Sequence, residues 1–546
     1  MSMVKKLHAT LGLCLSLFGC GDDSEPEPAA FPEKDWPAEA ASLLDGDDWY
    51  RHAVFYEIYV RSFQDSDGDG IGDIKGLTSR LDYLKELGVD AIWLMPIMPT
   101  AFKDSGYDVS NYQDVNPEYG TLADFEALLA AAHERKMRVI MDLVLNHTSD
   151  QHAWFTESRS SKTNPKADWY VWSDTPSDPN IGCGTASAVF GSSAWQLDST
   201  RGQYYYHRFY PEQPDLNYRN PEVVDATLDV ARFWLAKGVD GFRCDVIGLL
   251  YESAKECDLI PETRDYVKKL RKVVDEYPGR VIVAEPSNLT DATGYLGNGS
   301  DMFHMAFHFG FGYFWTFPFG SQNATAIVDT FQKSLNGFPP GAQDGLVIGS
   351  HDVPRAFSAA QGDDTRHQRA ALIQLTAKGT PFIYYGEELA LRPGSQQVVD
   401  LRDAARTPML WDGSPGHGFT TGKPWIAFGA EADSFNLEVE KDAPDSMYAF
   451  YRSLLELRRG RAVWGTGEME VLDTGTNSVF ALYRHDDFMA YVAGVNMSEE
   501  DQVAELARPG LGQRAERVAG QGKLALGAGG GKLSLPAKSA AIFRVK

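Results

Sequence analysis

Three short apolar runs each end in a carboxylate: GFRCD at Asp245, VIVAE at Glu285 and VIGSHD at Asp352. Two carboxyl groups about 5 Å apart can cleave a glycosidic bond with retention, one attacking the anomeric carbon while the other gives its proton to the departing oxygen. Arg243 lies two residues before Asp245. The two-residue period of a strand points both side chains the same way, so the guanidinium can hold Asp245 ionised, as a nucleophile requires. Glu285 follows Val281, Ile282, Val283 and Ala284, and an apolar wall raises a carboxyl pKa, which favours the protonated acid. A single strand-end acid more often caps a helix or makes a surface ion pair. Three of them, with Arg243 in register, point to chemistry.

Such groups need strands that end at one mouth. Eight β-branched or aromatic runs read as strands: Phe55 to Val60, Ala91 to Met95, Val139 to Leu145, Val239 to Asp245, Val281 to Glu285, Met302 to Phe307, Leu346 to Gly349 and Phe382 to Tyr385. Amphipathic helical stretches lie between many of them, the pattern of parallel βα units buried on both faces. After the first strand, Leu77, Leu81, Leu84 and Leu87 line one helical face and Gly88 stops it. Before the fourth, Asn220 can cap, Pro221 fits the first turn, Val224, Leu228, Ala231 and Leu235 form the apolar stripe, and Gly238 terminates. Together these predict an α/β chain built on a (β/α)8 TIM barrel, spanning 49–147 and 220–460, with its active site at the C-terminal strand ends. A Trp-, Tyr- and Gly-rich insertion at 148–219, after strand 3, is too long for a plain connection and reads as a subdomain. Its aromatics, Trp169, Tyr170, Trp172, Trp195, Tyr204, Tyr205 and Tyr206 among them, read first as the insertion's own core. Alternating runs such as Val479 to Tyr483 and Ala490 to Val495 predict a C-terminal antiparallel β-sandwich at 461–546.

The net charge of -25 and the absence of a basic stripe argue against nucleic acid as a partner. Residues 1–20 read as an export signal, with Lys5 and Lys6 before an apolar run, Leu11 to Phe18, too short to span a bilayer. Leu17-Phe18-Gly19-Cys20 resembles a bacterial lipoprotein cleavage box, which would place a lipid on Cys20; an ordinary cleaved signal is the alternative. Residues 21–48, acidic and rich in Pro and Ala, read as a flexible linker. The expected product is a monomeric cell-envelope lipoprotein or secreted bacterial protein that touches membrane only through that lipid. Of five cysteines, Cys14 and Cys20 fall in the signal, leaving Cys183, Cys244 and Cys257. Three thiols cannot all pair, and Cys244 reads as a buried filler.

The segments MDLVLNHTS around Asp142 and His147, GFRCDVI, VIVAEP and GSHDVPR, in that order, with QPDLN at Gln213 to Asn217, resemble the signature segments of the α-amylase family of glycoside hydrolases. AIWLMPI and GTPFIYYGEEL resemble two flanking strand motifs of that family, so the likeness covers nearly the whole mature chain. The resemblance implies that Asp245 is the nucleophile, Glu285 the general acid/base and Asp352 a carboxylate that binds and distorts the sugar ring. It implies that Arg243, His147 and His351 contact the glucose unit being cleaved. One departure stands out: Ser350 replaces the Asn common before the His-Asp pair.

The run DSDGDGIGD, Asp65 to Asp73, sets oxygen ligands at alternate positions with Gly at the turns, suiting a hard cation such as calcium. An EF-hand fails because Gly76 stands where the bidentate Glu belongs. Oligosaccharide-cleaving members of the family have a similar loop, which implies a structural Ca2+, with Mg2+ possible, on Asp65, Asp67, Asp69, Asp73 and the Ile71 carbonyl; a metal-free Asp-Gly turn is the alternative. Asp104 and Tyr107 in KDSGYDVSNY, Arg406 in RTPMLW and Val246 beside the nucleophile resemble enzymes acting on short oligosaccharides, α-1,6 cutters included. Export favours α-amylase-type hydrolysis of α-1,4-glucans and maltooligosaccharides. An exo-acting α-glucosidase or oligo-1,6-glucosidase stands close behind, and a transglycosylase or sugar isomerase would share every catalytic residue. A non-catalytic glucan-binding relative is disfavoured by the intact carboxylates.

Overall fold

A computed structural model describes residues 43–546 apart from 183–186, 192, 288–290, 312–323, 326, 330, 332–337 and 399–400. The expected export signal, Cys20, Cys183 and most of the expected linker lie outside the described residues. Where the linker ends, Leu44 packs against the barrel's inner core, and its carbonyl accepts from Arg138. No helix among the described residues is long and apolar enough to cross a membrane.

The strands in chain order are β1 (Phe55–Ile58), β2 (Ala91–Leu94), β3 (Arg138–Val144), β4 (Trp172–Ser173), β5 (Trp195–Asp198), β6 (Gln203–Tyr206), β7 (Gly241–Asp245), β8 (Val281–Ala284), β9 (Met305–Phe307), β10 (Gln343–Val347) and β11 (Thr380–Tyr384). All eight strands expected for the barrel close it, in the order β1-β2-β3-β7-β8-β9-β10-β11, with β11 pairing back onto β1 through Phe55 and Phe382. Their ends differ from expectation where polar residues join the ladder. Gln343 and Asp344, which precede the expected run from Leu346, pair with Met305 and Ala306 and are buried.

The pleat divides each strand between two environments. Inward positions near the strand starts are apolar: Phe55, Ala91, Ile140, Val281, Met305 and Phe382 form one core inside the barrel. Inward positions further along β1, β3 and β7 are polar: Glu57, Asp142, Arg243 and Asp245, all buried. Apolar side chains at the barrel's base thus support a charged layer at its mouth. Gly241, which opens β7, is required there, because a Cβ would stand 1.9 Å from the Val281 carbonyl oxygen of the neighbouring strand.

The helix before β7 forms as read. Asn220 accepts from the Glu222 N–H, Pro221 opens Pro221–Lys237, and Gly238 closes it with φ 103°. After β1 the single expected helix is two, Ile74–Ser79 and Leu81–Leu87. The Thr78 and Ser79 hydroxyls donate back to the Ile74 and Gly76 carbonyls, a competition that bends helices, while Arg80 turns its Nε to Gln64. The leucine stripe still buries completely.

Residues between β3 and the Asn220 helix hold the helix Ala153–Ser160 and the antiparallel sheet β4-β6-β5. Trp169, Tyr170, Trp195, Tyr205 and Tyr206 are buried there. Cys244 is free and buried, whereas Cys257 is disulfide-bonded, a pairing the count of three thiols left open.

The C-terminal region has a five-stranded antiparallel sheet, β12 (Glu468–Val471), β13 (Val479–His485), β14 (Ala490–Asn496), β16 (Ala515–Gly520) and β19 (Ala540–Val545), and a three-stranded one, β15 (Gln502–Leu506), β17 (Lys523–Gly527) and β18 (Gly530–Leu535). The stretch expected to open this region begins instead with a short helix, Ala462–Gly465. β13 is buried on both faces: Phe480 and Leu482 join the main core, while Val479, Ala481 and Tyr483 pack between the two sheets.

Candidate active site

β7 delivers the central cation. Arg243 is 1% exposed, and its guanidinium holds three carboxyl groups. Nη1 donates to Asp142 Oδ1 and to Asp245 Oδ1, each at 2.5 Å, and Nη2 lies 2.8 Å from Glu285 Oε2. Asp245 and Glu285, from adjacent strand ends, thus share one guanidinium, which draws the two carboxyl groups to the same side of the mouth. Glu285 also accepts from the Val246 N–H at 2.8 Å. Val246 has φ 36°, a left-handed conformation costly for a β-branched residue and characteristic of functional sites. The strain aims that N–H at Glu285.

One positive charge facing three buried carboxyls cannot keep all of them ionised. Burial raises Asp142 and Asp245 to about 6 and Glu285 to about 7, each partly offset by Arg243; Asp142 adds to the rise at Asp245, and Asp245 to that at Glu285. The sequence suggested that Arg243 can hold Asp245 ionised. The guanidinium is instead divided among three acids, so the nucleophile candidate rises as well, and the order rather than a wide gap separates base from acid. Glu285 keeps its proton longest.

Asp352 behaves oppositely. Its side chain is 34% exposed. Burial would raise its carboxyl, but His351, Arg402 and Arg406 hold it well below the usual range. Arg402 Nη1 donates to Asp352 Oδ1 at 2.6 Å, Arg406 Nη2 lies 3.4 Å from the same oxygen, and His351 Nε2 stands 3.1 Å from Oδ2. Arg402 also bonds Asp104, which accepts from Gln213 Nε2 at 2.9 Å. His147 is buried beside Gln213, 3.1 Å from it, and burial lowers its imidazole to about 4, leaving it neutral. Tyr107 Oη lies 2.7 Å from His351 Nε2 and 3.3 Å from Asp142 Oδ2. Ser350, the departure from the usual Asn, accepts from the Asp352 N–H.

Asp104, Tyr107, His147, Arg243, Asp245, Glu285, His351, Asp352 and Arg406 therefore converge on one mouth. The sequence did not single out Glu57, Trp93, Gln213 or Arg402 as site residues. Trp93 donates to Asp142 Oδ2, and Glu57 holds His351 Nδ1 at 2.5 Å. Gln213 lay inside a quoted segment, and Glu57 and Trp93 inside strands, so a polar inward position was their available signal.

In the Asp65 to Asp73 loop, Asp65, Asp67 and Asp73 each bring an oxygen within 4.8 Å of the others. Asp69 is not among them and accepts from the Ile71 N–H instead. Asp65 takes N–H groups from Asp67, Gly68 and Gly70 and the Thr420 hydroxyl. Asp73 caps the Ile74–Ser79 helix.

A family model described as the alpha amylase catalytic domain matches residues 57–466. A probable alpha-glucosidase of Rhizobium meliloti is 37% identical over 538 residues, covering 88% of this chain and 95% of that protein. An oligo-1,6-glucosidase of Parageobacillus thermoglucosidasius is 35% identical over 494 residues, covering 78% and 86%. The solved trehalulose synthase MutB of Pseudomonas mesoacidophila superposes with a TM-score of 0.80 at 33% identity, covering 91% of this chain and 99% of that one. With three quarters of its length in the catalytic-domain match and its barrel closed in the same form, this chain belongs to the α-amylase family and is a glycosidase.

Proposed function

We propose that the protein is a retaining α-glucosidase that releases glucose from the non-reducing ends of short α-linked gluco-oligosaccharides. The observation carrying this reading is the single buried guanidinium shared by Asp245 and Glu285, with Glu285 the later of the two to lose its proton. Asp245 attacks the anomeric carbon as the glycosidic bond breaks, and Glu285 gives its proton to the departing oxygen. Water then attacks the same carbon, Glu285 takes back a proton, and Asp245 is released. Asp352, Asp104, His147, His351, Tyr107 and Arg406 contact the hydroxyls of the glucosyl ring.

Exo attack is favoured by Arg402, which ties Asp352 to Asp104 across one side of the mouth. On this reading the bridge walls off the non-reducing side of the bound ring, which makes that ring the terminal one. α-Amylase-type attack within long α-1,4-glucans needs a cleft open at both ends, which makes it the less favoured reading. The names of the relatives, a probable alpha-glucosidase and an oligo-1,6-glucosidase, agree with action on α-glucosides and on oligosaccharides. The trehalulose synthase supports a second reading, in which another sugar intercepts the glucosyl enzyme.

We further propose that Asp65, Asp67 and Asp73, with Asp69 and the Ile71 carbonyl closing in, hold one structural calcium. Three carboxylates drawn together in one tight loop gain from a divalent cation, and the ion would brace the loop without entering the reaction. Export and a lipid on Cys20 remain part of the proposal. They would place the enzyme where oligosaccharides arrive from outside the cell.

Products followed in time from maltoheptaose, isomaltose and amylose test the reading. Glucose released together with the substrate shortened by one unit, as maltohexaose from maltoheptaose, supports it. Maltotriose and maltotetraose formed from maltoheptaose ahead of glucose defeat exo action, and new glucosidic linkages mean transfer. Asp245→Asn should abolish turnover while leaving sugar binding intact.

A further inference from the structure

We propose that Glu57 is a positioning residue for the reaction: its carboxylate fixes His351 as an imidazolium and, through His351, sets Asp352 and Tyr107. β1 contributes nothing else charged to the mouth. Glu57 is 1% exposed, and its Oε1 lies 2.5 Å from His351 Nδ1. The other ring nitrogen faces Asp352 Oδ2 at 3.1 Å and Tyr107 Oη at 2.7 Å. An ionised carboxylate only accepts, so carboxylates at both nitrogens require a hydrogen on each. The Tyr107 hydroxyl is then free to donate to Asp142 Oδ2, 3.3 Å away. Asp142 in turn bonds Arg243, and Arg243 bonds Asp245 and Glu285. Glu57 thus anchors a continuous chain that ends on both reacting carboxyls.

The surrounding charges agree. Burial would strip His351 of its proton, but Asp352 and Glu57 overcome that and raise it to about 9. Arg402 and Arg406 face Asp352 rather than the ring, and Arg406 Nε donates to the His351 carbonyl. Glu387, which follows β11 and also faces Glu57, is pushed far up by burial and stays neutral, so it brings no second negative charge. Trp93 meets the His351 ring edge-on and Tyr107 stacks on it, so the imidazole is held in place by packing as well. With Glu57 neutralised, a deprotonated Nε2 would turn its lone pair on Asp352, and Asp352 would lose one of the three cations that face it.

The kinetic arm of the test rests on the proposed glycosidase mechanism, and the spectroscopic arm does not. In the full chain labelled with 15N-histidine, the His351 signals are picked out from those of the 12 histidines by their loss in His351→Gln. The wild type should keep both ring nitrogens protonated beyond pH 8. In Glu57→Gln the midpoint should fall by about 1–3 units, the usual effect of one adjacent charge. The alkaline limb of kcat/KM, governed in the wild type by Glu285, should then move acidward or steepen. Glu57→Asp, which keeps the charge, should hold the midpoint near that of the wild type while lowering kcat. A His351 already neutral at pH 7.5 in the wild type would overturn the proposal. So would a Glu57→Gln protein whose midpoint and alkaline limb match the wild type while only its rate falls. Should Glu57→Gln fail to fold, the wild-type titration and Glu57→Asp decide the matter between them. If no α-glucoside is cleaved at all, the histidine titration still reports on Glu57, so the two failures can be told apart.

Discussion

Removing the cation at the centre of the site should move the whole pH profile rather than merely lower it. In Arg243→Met, Asp245 and Glu285 lose the guanidinium that now offsets their burial. A carboxylate without its cation is less stable, so both pKa values rise, by about 1–3 units each. Starting from about 6 for Asp245, the ionised fraction at pH 6.5 would fall from about three quarters to between about a quarter and a few tenths of one percent. That alone predicts a loss in kcat/KM of roughly 3- to 200-fold at pH 6.5. Raising the pH should recover part of it, because Glu285 keeps its proton to a correspondingly higher pH. Leaving buried carboxyls unpaired costs about 3–5 kcal/mol if they stay charged, and less once they take up protons. The assay is kcat/KM on an aryl α-glucoside across the pH range, beside thermal unfolding of the same protein. A bell-shaped profile displaced to higher pH supports the charge argument. A profile of unchanged position and reduced height would refute it, leaving Arg243 as scaffold only.

Asp245 itself should cost stability. Its folded pKa is raised to about 6 from an ordinary 3.8 by burial, so the folded state is favoured at low pH and that advantage disappears as pH rises from about 4 through 6. Asp245→Asn should therefore increase the unfolding free energy at pH 7.5 by about 1–3 kcal/mol, and by little at pH 4; equal urea midpoints at pH 7.5 would contradict this. Gly241→Ala should cost more than about 3 kcal/mol, or prevent folding, because its Cβ would strike the Val281 carbonyl between β7 and β8, and circular dichroism on heating reads it. Chelation should lower the melting temperature of the wild type but not of Asp67→Asn, since Asp67 is the exposed one of the three clustered carboxylates; identical melting curves with chelator and with calcium would dispose of the metal.

The barrel was legible because its strands are buried on both faces and leave continuous apolar runs. The acids at 245, 285 and 352 were legible because a strand period fixes which side chains point inward. Contacts made by loops were not. Arg402 reaches Asp104 from the far end of the catalytic region, and nothing local in LRDAA marks that partner. Val246 was harder still, since a β-branched side chain argues against the left-handed backbone it adopts. The charge balance also lay beyond reach. Asp142 and Arg243 meet because β3 and β7 pair with these two residues opposite each other, and that register, not either segment alone, divides the guanidinium among three acids. In β13 the expected alternation is present, yet both faces are buried, because each meets a different core.

The most direct test of the account is to trap the sugar on the protein. A 5-fluoro-α-glucosyl fluoride, whose glucosyl enzyme forms faster than it hydrolyses, should leave one glycosyl adduct on the peptide carrying Asp245. That adduct should be absent in Asp245→Asn. An adduct on Glu285 or Asp352, or released sugar of inverted anomeric configuration with no adduct at all, would contradict the assignment of nucleophile and acid.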